Sequence, residues 1–187
     1  GTYCSPHVSS ITERIQINTE PISEDEFAEV VSHLKLATSS LDVTPSWFEL
    51  ITASAFSCFA NNAVDVAVIE VGMLGRYDAT NIADAKVAII TNVGYDHTDG
   101  DEGWRKKLAW EKAGIIKRGS VVCLGDTDEE IEELILQENS AQILRRGIDF
   151  ACLENDLAIG GRHLSLRIND ITYENIFLSQ HGVHQGQ

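Results

Sequence analysis

The 187-residue sequence has few of the features that mark several protein classes. It contains one methionine, three prolines and four cysteines. Cys4, Cys58, Cys123 and Cys152 are far apart and form no C-x-x-C pair, which argues against a disulfide scaffold and against a zinc ribbon. Cys58 and Cys123 lie in apolar runs and read as buried free thiols. Positive charge is scarce: 14 Lys and Arg stand against 29 Asp and Glu, a formal net charge of −15. That balance disfavours a nucleic-acid backbone or an anionic membrane as partner. There is no apolar run of membrane-spanning length and no signal peptide. A cytoplasmic monomer without nucleic-acid or membrane partners is therefore expected, although the first residue is Gly1 and not a start methionine. Repeats and low-complexity segments are absent. So is G-x-x-x-x-G-K-[ST], the loop that cradles nucleotide phosphates.

The remaining sequence has ordinary globular composition, 43% hydrophobic and 23% charged. Residues 1–22 read as irregular, with Pro6 and Pro21 as breakers. Ser23 is a helix start, followed by Phe27, Val30, Val31 and Leu34 at helical spacing. A second helix begins near Pro45-Ser46 and runs to the Asn61-Asn62 pair, with Phe48, Ile51, Ala55 and Phe59 on one stripe. "VDVAVIEV", "KVAIITNV" and "SVVCLG" read as buried strands. A helix from Trp104 to about Ile116 and another over "DEEIEELILQENSA", with Ile131, Leu134 and Ile135 inward, lie among them. The acidic excess of residues 126–156 reads as a solvated helix face. Strands alternating with helices predict an α/β fold with a mostly parallel sheet covered on both faces. From Phe150 onward, short alternating runs split by Gly160-Gly161 and Asn169-Asp170 predict a small antiparallel element.

Chemistry concentrates at two predicted strand ends. In "VAVIEVGMLGRYDATN" the aliphatic run ends in Glu70, and a glycine-punctuated turn follows. Ligands of open parallel sheets bind beyond the carboxyl ends of strands, where a carboxylate can hold a hard cation near phosphates. A solvated Glu70, or one paired with Arg76, is the plainer alternative. "IITNVGYDHT" delivers Asn92, Asp96 and His97 in the same way. His97 is open to readings as part of a capped turn, as a general base or as a ligand.

The stretches "SPHVSSITERIQIN", "SWFELITASAFSCFA", "VDVAVIEVGMLGRYDATN", "AIITNVGYDHT", "EKAGIIK" and "HGVHQGQ", in that order and at those spacings, resemble the folylpolyglutamate synthase and dihydrofolate synthase family of the Mur ligase superfamily. The resemblance implies a Mur ligase central domain of P-loop NTPase type. It implies an ATP-dependent ligase that adds L-glutamate to dihydropteroate or folate through an acyl phosphate, with Mg2+ as cofactor. By position, Ser5, Glu70 and His97 resemble the metal ligands, although magnesium generally prefers oxygen to imidazole. Lys112 resembles the lysine that is carbamylated in the superfamily. Ser46, Trp47, Phe48 and Glu49 match one substrate-contacting stretch, and Tyr77, Asp78 and Ala79 a second. No residue is assigned to ATP. Two departures stand out. Cys4 replaces a more usual threonine. Leu74 stands where glycine is usual, which predicts a turn that needs no left-handed residue there.

The family carries a phosphate loop upstream of the "SPH" stretch and a further domain downstream. The expectation is therefore an incomplete central domain over residues 1–178, inactive alone, with residues 179–187 starting a linker. The alternatives are a non-catalytic pterin- and metal-binding module or an inert remnant of such a ligase.

Overall fold

The computed structural model describes residues 1–95, 100–125, 128–138 and 140–186. The chain divides into two compact units, Gly1–Ala83 and Asp84–Gln187.

The first unit is built on a four-stranded sheet. Its strands are β1 (Thr2–Tyr3), β2 (Ile15–Ile17), β3 (Glu20–Pro21) and β4 (Val68–Ile69), in the order β3-β2-β1-β4. β1 runs antiparallel to β2 and parallel to β4. Residues 1–22 thus carry three strands, contrary to the irregular segment expected from the sequence. Strands of two or three residues are too short to show a period, and β1 is recognisable only by its two neighbours. β2 and β3 form a hairpin through Asn18 and Thr19, both at positive φ, 50° and 71°. That is the handedness which matches strand twist in two-residue turns.

Two helices cover this sheet. Helix α1 (Glu24–Thr38) starts at Ser23, whose side chain accepts from the Glu26 amide. Helix α2 (Trp47–Asn61) starts at Ser46 and ends against Asn62. Both boundaries agree with the sequence reading. Tyr3, Ile15, Ile22 and Val30 form one core with Ile51, Ala55, Cys58 and Phe59, all at most 5% exposed. Burying each large side chain of this set contributes about 1.5–3 kcal/mol. Burial raises the Cys58 thiol pKa to about 11. β4 departs from expectation. Only Val68 and Ile69 of the "VDVAVIEV" run form a strand, and Val66 and Val68 are 70% and 61% exposed. β4 is the edge of its sheet, with one face on the core through Ile69. An apolar run does not distinguish a strand buried on one face from one buried on both.

The second unit begins with a parallel sheet, β5 (Val87–Ile90), β6 (Val121–Leu124) and β7 (Gln142–Arg145). α3 (Trp104–Ala113) connects β5 to β6, and α4 (Glu129–Leu136) connects β6 to β7. The sequence reading missed β7, whose four residues mix Gln142 and Arg145 with two apolar ones. Arg145 Nε donates to Glu132 of α4, which helps seat β7 beneath that helix. Coverage is one-sided at β5: Ala88 and Ile90 are 2% and 3% exposed, whereas Val87 and Ile89 are 52% and 62% exposed. An antiparallel sheet follows, β8 (Phe150–Ala158), β9 (Gly161–Ile168) and β10 (Ile171–Leu178), in the order β10-β9-β8. Its two turns carry Gly160 and Asn169 at positive φ, as the sequence predicts. Among the described residues, no helix is long and apolar enough to cross a membrane.

Thr19 is exposed and β-branched, and it holds a left-handed conformation that costs about 1–2 kcal/mol outside glycine. Thr19→Gly creates the favoured Asn-Gly turn without loss of packing. It is expected to raise the stability of the first unit by about 1 kcal/mol in urea unfolding.

Candidate metal and substrate site

β1 and β4 run side by side, with Thr2 opposite Val68 and Tyr3 opposite Ile69. The ladder continues past the strand ends: the Glu70 amide donates to Tyr3 O at 2.8 Å, and the Ser5 amide donates to Glu70 Oε2 at 2.6 Å. Ser5 and Glu70 therefore stand together beyond the carboxyl ends of two parallel strands. A peptide N–H to a carboxylate is a charge-assisted bond and leaves Glu70 Oε1 open. Glu70 is exposed and forms no ion pair with Arg76 among the described residues. The Ser5 hydroxyl makes no hydrogen bond among them either.

These donors suit magnesium, a hard ion that takes oxygen ligands and keeps several waters. The neighbouring Cys4 does not compete as a soft ligand. Its thiol donates to Glu13 O at 3.3 Å, and its pKa is raised by burial and then by the Glu70 charge, so it stays protonated. His97, the third expected ligand, lies outside the described residues. No cluster of three or more His, Cys, Asp or Glu side chains able to hold a metal occurs among the described residues.

The loop after Ser5 is held by residues that the sequence reading passed over. The Glu13 carboxylate accepts from the amides of Val8 and Ser10 at 2.8 Å each and of Ser9 at 3.1 Å. Ser10 and Glu13 together form a capping box on a short 3-10 turn over Ile11–Arg14. The Val8 and Ser10 amides in particular lower the Glu13 pKa. The available signal was S-x-x-E, in "SITE", which lacks the long apolar periodicity that normally accompanies a helix start. The adjacent Arg14 is 7% exposed, donates through Nε to His7 Nδ1 at 2.9 Å, and lies over the Trp47 ring at 4.8 Å.

The first predicted substrate stretch opens α2. Ser46 and Glu49 cap each other: the Glu49 amide donates to Ser46 Oγ at 3.2 Å, and the Ser46 amide to Glu49 Oε2 at 2.7 Å. These bonds lower the Glu49 pKa, with the Ser46 side chain as the largest cause. Trp47 is half exposed, and Phe48 packs against Tyr3 with ring centroids 6.2 Å apart. Gly72, in the turn after Glu70, lies against the Phe48 ring so closely that a Cβ there would overlap it.

In the second stretch, Tyr77 is 81% exposed. Asp78 closes the turn: Oδ2 accepts from the Met73 amide and Oδ1 from the Thr80 amide, each at 2.9 Å. Asp78 thereby caps a short turn over Ala79–Ile82. Within this loop Leu74 has φ +61°, contrary to the expectation that no left-handed residue is needed. The closure from Met73 to Asp78, five positions on, is made with this reversal inside it, and leucine there carries strain.

In the second unit, Asn92 follows β5 and is exposed. Lys112 lies in the last turn of α3, half-buried, and its amino group has no partner among the described residues.

Residues 48–151 match the Mur ligase middle domain. The chain belongs to this family, in its folylpolyglutamate synthase and dihydrofolate synthase branch. It is 37% identical over 205 aligned residues to the dihydrofolate synthase/folylpolyglutamate synthase of Mycobacterium tuberculosis, covering 99% of this chain and 42% of that protein. The crystal structure of the Mycobacterium tuberculosis folylpolyglutamate synthase complexed with ADP and AMPPCP superposes with a TM-score of 0.91 at 37% identity, covering 99% of this chain and 45% of that one. A bifunctional folylpolyglutamate synthase/dihydrofolate synthase with Mn, AMPPNP and L-glutamate bound gives a TM-score of 0.80 at 30% identity, covering 95% and 42%. The chain spans less than half the length of these relatives.

Gly72→Ala forces Phe48 aside and is expected to cost about 1–3 kcal/mol, read by urea unfolding. The depressed pKa values of Glu13 and Glu49 contribute to the acid side of stability. A carboxyl whose folded pKa is lowered contributes stability above its unfolded pKa of about 4.3 and loses it as pH falls through the folded value. Stability is thus expected to drop below about pH 4. Glu13→Gln should be less stable than the parent at neutral pH and show a shallower fall on the acid side, as measured by thermal melts from pH 7 to pH 3.

Proposed function

We propose that this chain is part of an ATP-dependent ligase that joins L-glutamate to dihydropteroate or a folate. In this reading it supplies metal and acyl-substrate contacts. The observation that carries the proposal is the placement of Ser5 and Glu70 together at the ends of parallel β1 and β4, in a chain with these relatives. The solved relative that holds Mn, AMPPNP and L-glutamate supports a divalent metal, a nucleotide and the amino acid as ligands.

The reaction has two displacements. A carboxylate oxygen of the pteroyl substrate attacks the γ-phosphorus of ATP, and ADP leaves, giving an acyl phosphate. The glutamate amine then attacks the acyl carbon, phosphate leaves, and the amine loses a proton to form the amide. Both steps bring anions together, so charge neutralisation and positioning supply much of the rate.

Ser5 Oγ, Glu70 and His97 are assigned to Mg2+, which when bound neutralises phosphate charge. Lys112, once carbamylated, becomes an anion that helps hold a second such ion. Trp47 and Phe48 offer aromatic surface to the pterin. Ser46, Glu49, Tyr77, Asp78 and Ala79 are assigned to the same substrate, with Ser46, Glu49 and Asp78 also fixing the local backbone. No residue of this chain is assigned to the β- and γ-phosphates of ATP.

The test is turnover with dihydropteroate or folate, ATP and glutamate, in the protein that carries this chain. Lys112→Ala is expected to lower amide formation by about 100-fold or more, the scale of losing a group that stabilises transition-state charge, while leaving the helix intact. Added short carboxylates should restore part of it. Lys112→Arg should also fail, because guanidinium stays cationic. Near-parental turnover in Lys112→Arg would remove carbamylation from the proposal. No glutamate addition by the unmodified protein would overturn the ligase reading.

A further inference from the structure

Arg14 is 93% buried yet pairs with no carboxylate among the described residues. Its described partners are the His7 imidazole, through Nε–H to Nδ1 at 2.9 Å, and the face of Trp47, 4.8 Å away. Its charge also acts on Tyr3, whose pKa is raised by burial and pulled back by the hydrogen bond shared with Thr52 and by Arg14. Buried charges are ordinarily paired, because removing a cation from water costs several kcal/mol when no anion compensates. Here an imidazole, an indole and a phenol surround the cation, and none of them carries opposite charge.

The direction of the hydrogen bond fixes His7. Guanidinium can only donate, so Nδ1 accepts, and the single proton of the neutral ring sits on Nε2. Donation into Nδ1 by a permanent cation withdraws electron density from the ring and makes Nε2–H a stronger donor. The loop that carries His7 is rigid through the Glu13 bonds to Val8, Ser9 and Ser10. His7 follows Ser5 by two residues, and Ser5 is bonded to Glu70. Through Arg14, His7 is also tied to Trp47. It thus links the metal-ligand end of the candidate site to its aromatic end.

We propose that His7 is a substrate-binding residue whose Nε2–H donates to a carboxylate oxygen of an aromatic acyl substrate, with Arg14 as the positioning residue that sets its tautomer and supplies the positive charge behind it. The substrate anion then adds negative charge close to Arg14, which makes no ion pair among the described residues. This assignment rests on the proposed function and names two residues that the family resemblance did not.

The test uses the 187-residue chain with 15N-labelled histidine at pH 8, with His7 assigned by its loss in His7→Gln. Long-range 1H–15N correlation should show a pyridine-type Nδ1 and a pyrrole-type Nε2 at His7. In Arg14→Met that state should relax to the mixture of tautomers that a free neutral histidine shows, with a partly protonated Nδ1. Pteroic acid, followed through tryptophan quenching, should shift the His7 Nε2 resonance. Affinity should fall about 3- to 10-fold in His7→Ala, the scale of one hydrogen bond. It should fall similarly for the pteroic carboxamide, and it should be largely kept in His7→Gln, whose amide offers a donor at the Nε2 position.

A His7 tautomer protonated at Nδ1 would overturn the Arg14 role. Equal pteroic acid affinity in the parent and in a folded His7→Ala would overturn the binding role while leaving the ligase reading standing. If the parent chain binds no pteroic acid, the substrate reading and the His7 contact both fall, and the tautomer result still decides the role of Arg14.

Discussion

The candidate site of the first unit depends on the parallel pairing of β1 with β4. Two residues on each strand suffice to bring Gly1–Ser5 alongside Val66–Glu70, more than sixty positions away in sequence. The bond from the Ser5 amide to Glu70 is the end of that ladder. It orients one carboxylate oxygen towards the backbone and leaves the other for a ligand. Without the pairing, nothing would bring the Ser5 amide to the Glu70 carboxylate.

Around this junction, side chains near the site do double duty in holding backbone. Glu13 gathers three amides of the loop after Ser5, and the adjacent Arg14 holds His7 and Trp47. Glu49 and Ser46 close the start of α2, and Asp78 clasps the turn that contains Leu74. The bonds made by Glu13, Ser46, Glu49 and Asp78 satisfy amides that a loop or helix end would otherwise leave unpaired. The result is a set of short loops whose polar and aromatic side chains are positioned before any ligand arrives, the condition under which binding energy is not spent on ordering. Strain at Leu74 and the contact between Gly72 and Phe48 fall in the same loops, as expected where backbone geometry is imposed by a site and not by regular pairing.

Much of the architecture was legible along the chain. α1 and α2 carry caps and apolar stripes, so their starts at Ser23 and Ser46 follow from side-chain chemistry within a few residues. The antiparallel sheet was legible because Gly160 and Asn169 mark its turns. β1, β2 and β7 were not, since a strand of two to four residues has no period to read and is stabilised by partners distant in sequence. The degree of cover was also illegible: Val66, Val68, Val87 and Ile89 are as apolar as buried strand residues and yet are exposed.

The sequence by itself determined the four α-helices, the hairpins of the antiparallel sheet, the family resemblance and the identity of Glu70 as a carboxylate at a strand end. These rest on periodicity, capping and motif order, all of which are local. Only the tertiary structure decided that Ser5 meets Glu70, that Cys4 stays a protonated thiol beside them, and that Arg14 is buried against His7 and Trp47. Those facts depend on which distant segments pack together, and on the removal of water that gives a charge or a hydrogen bond its strength.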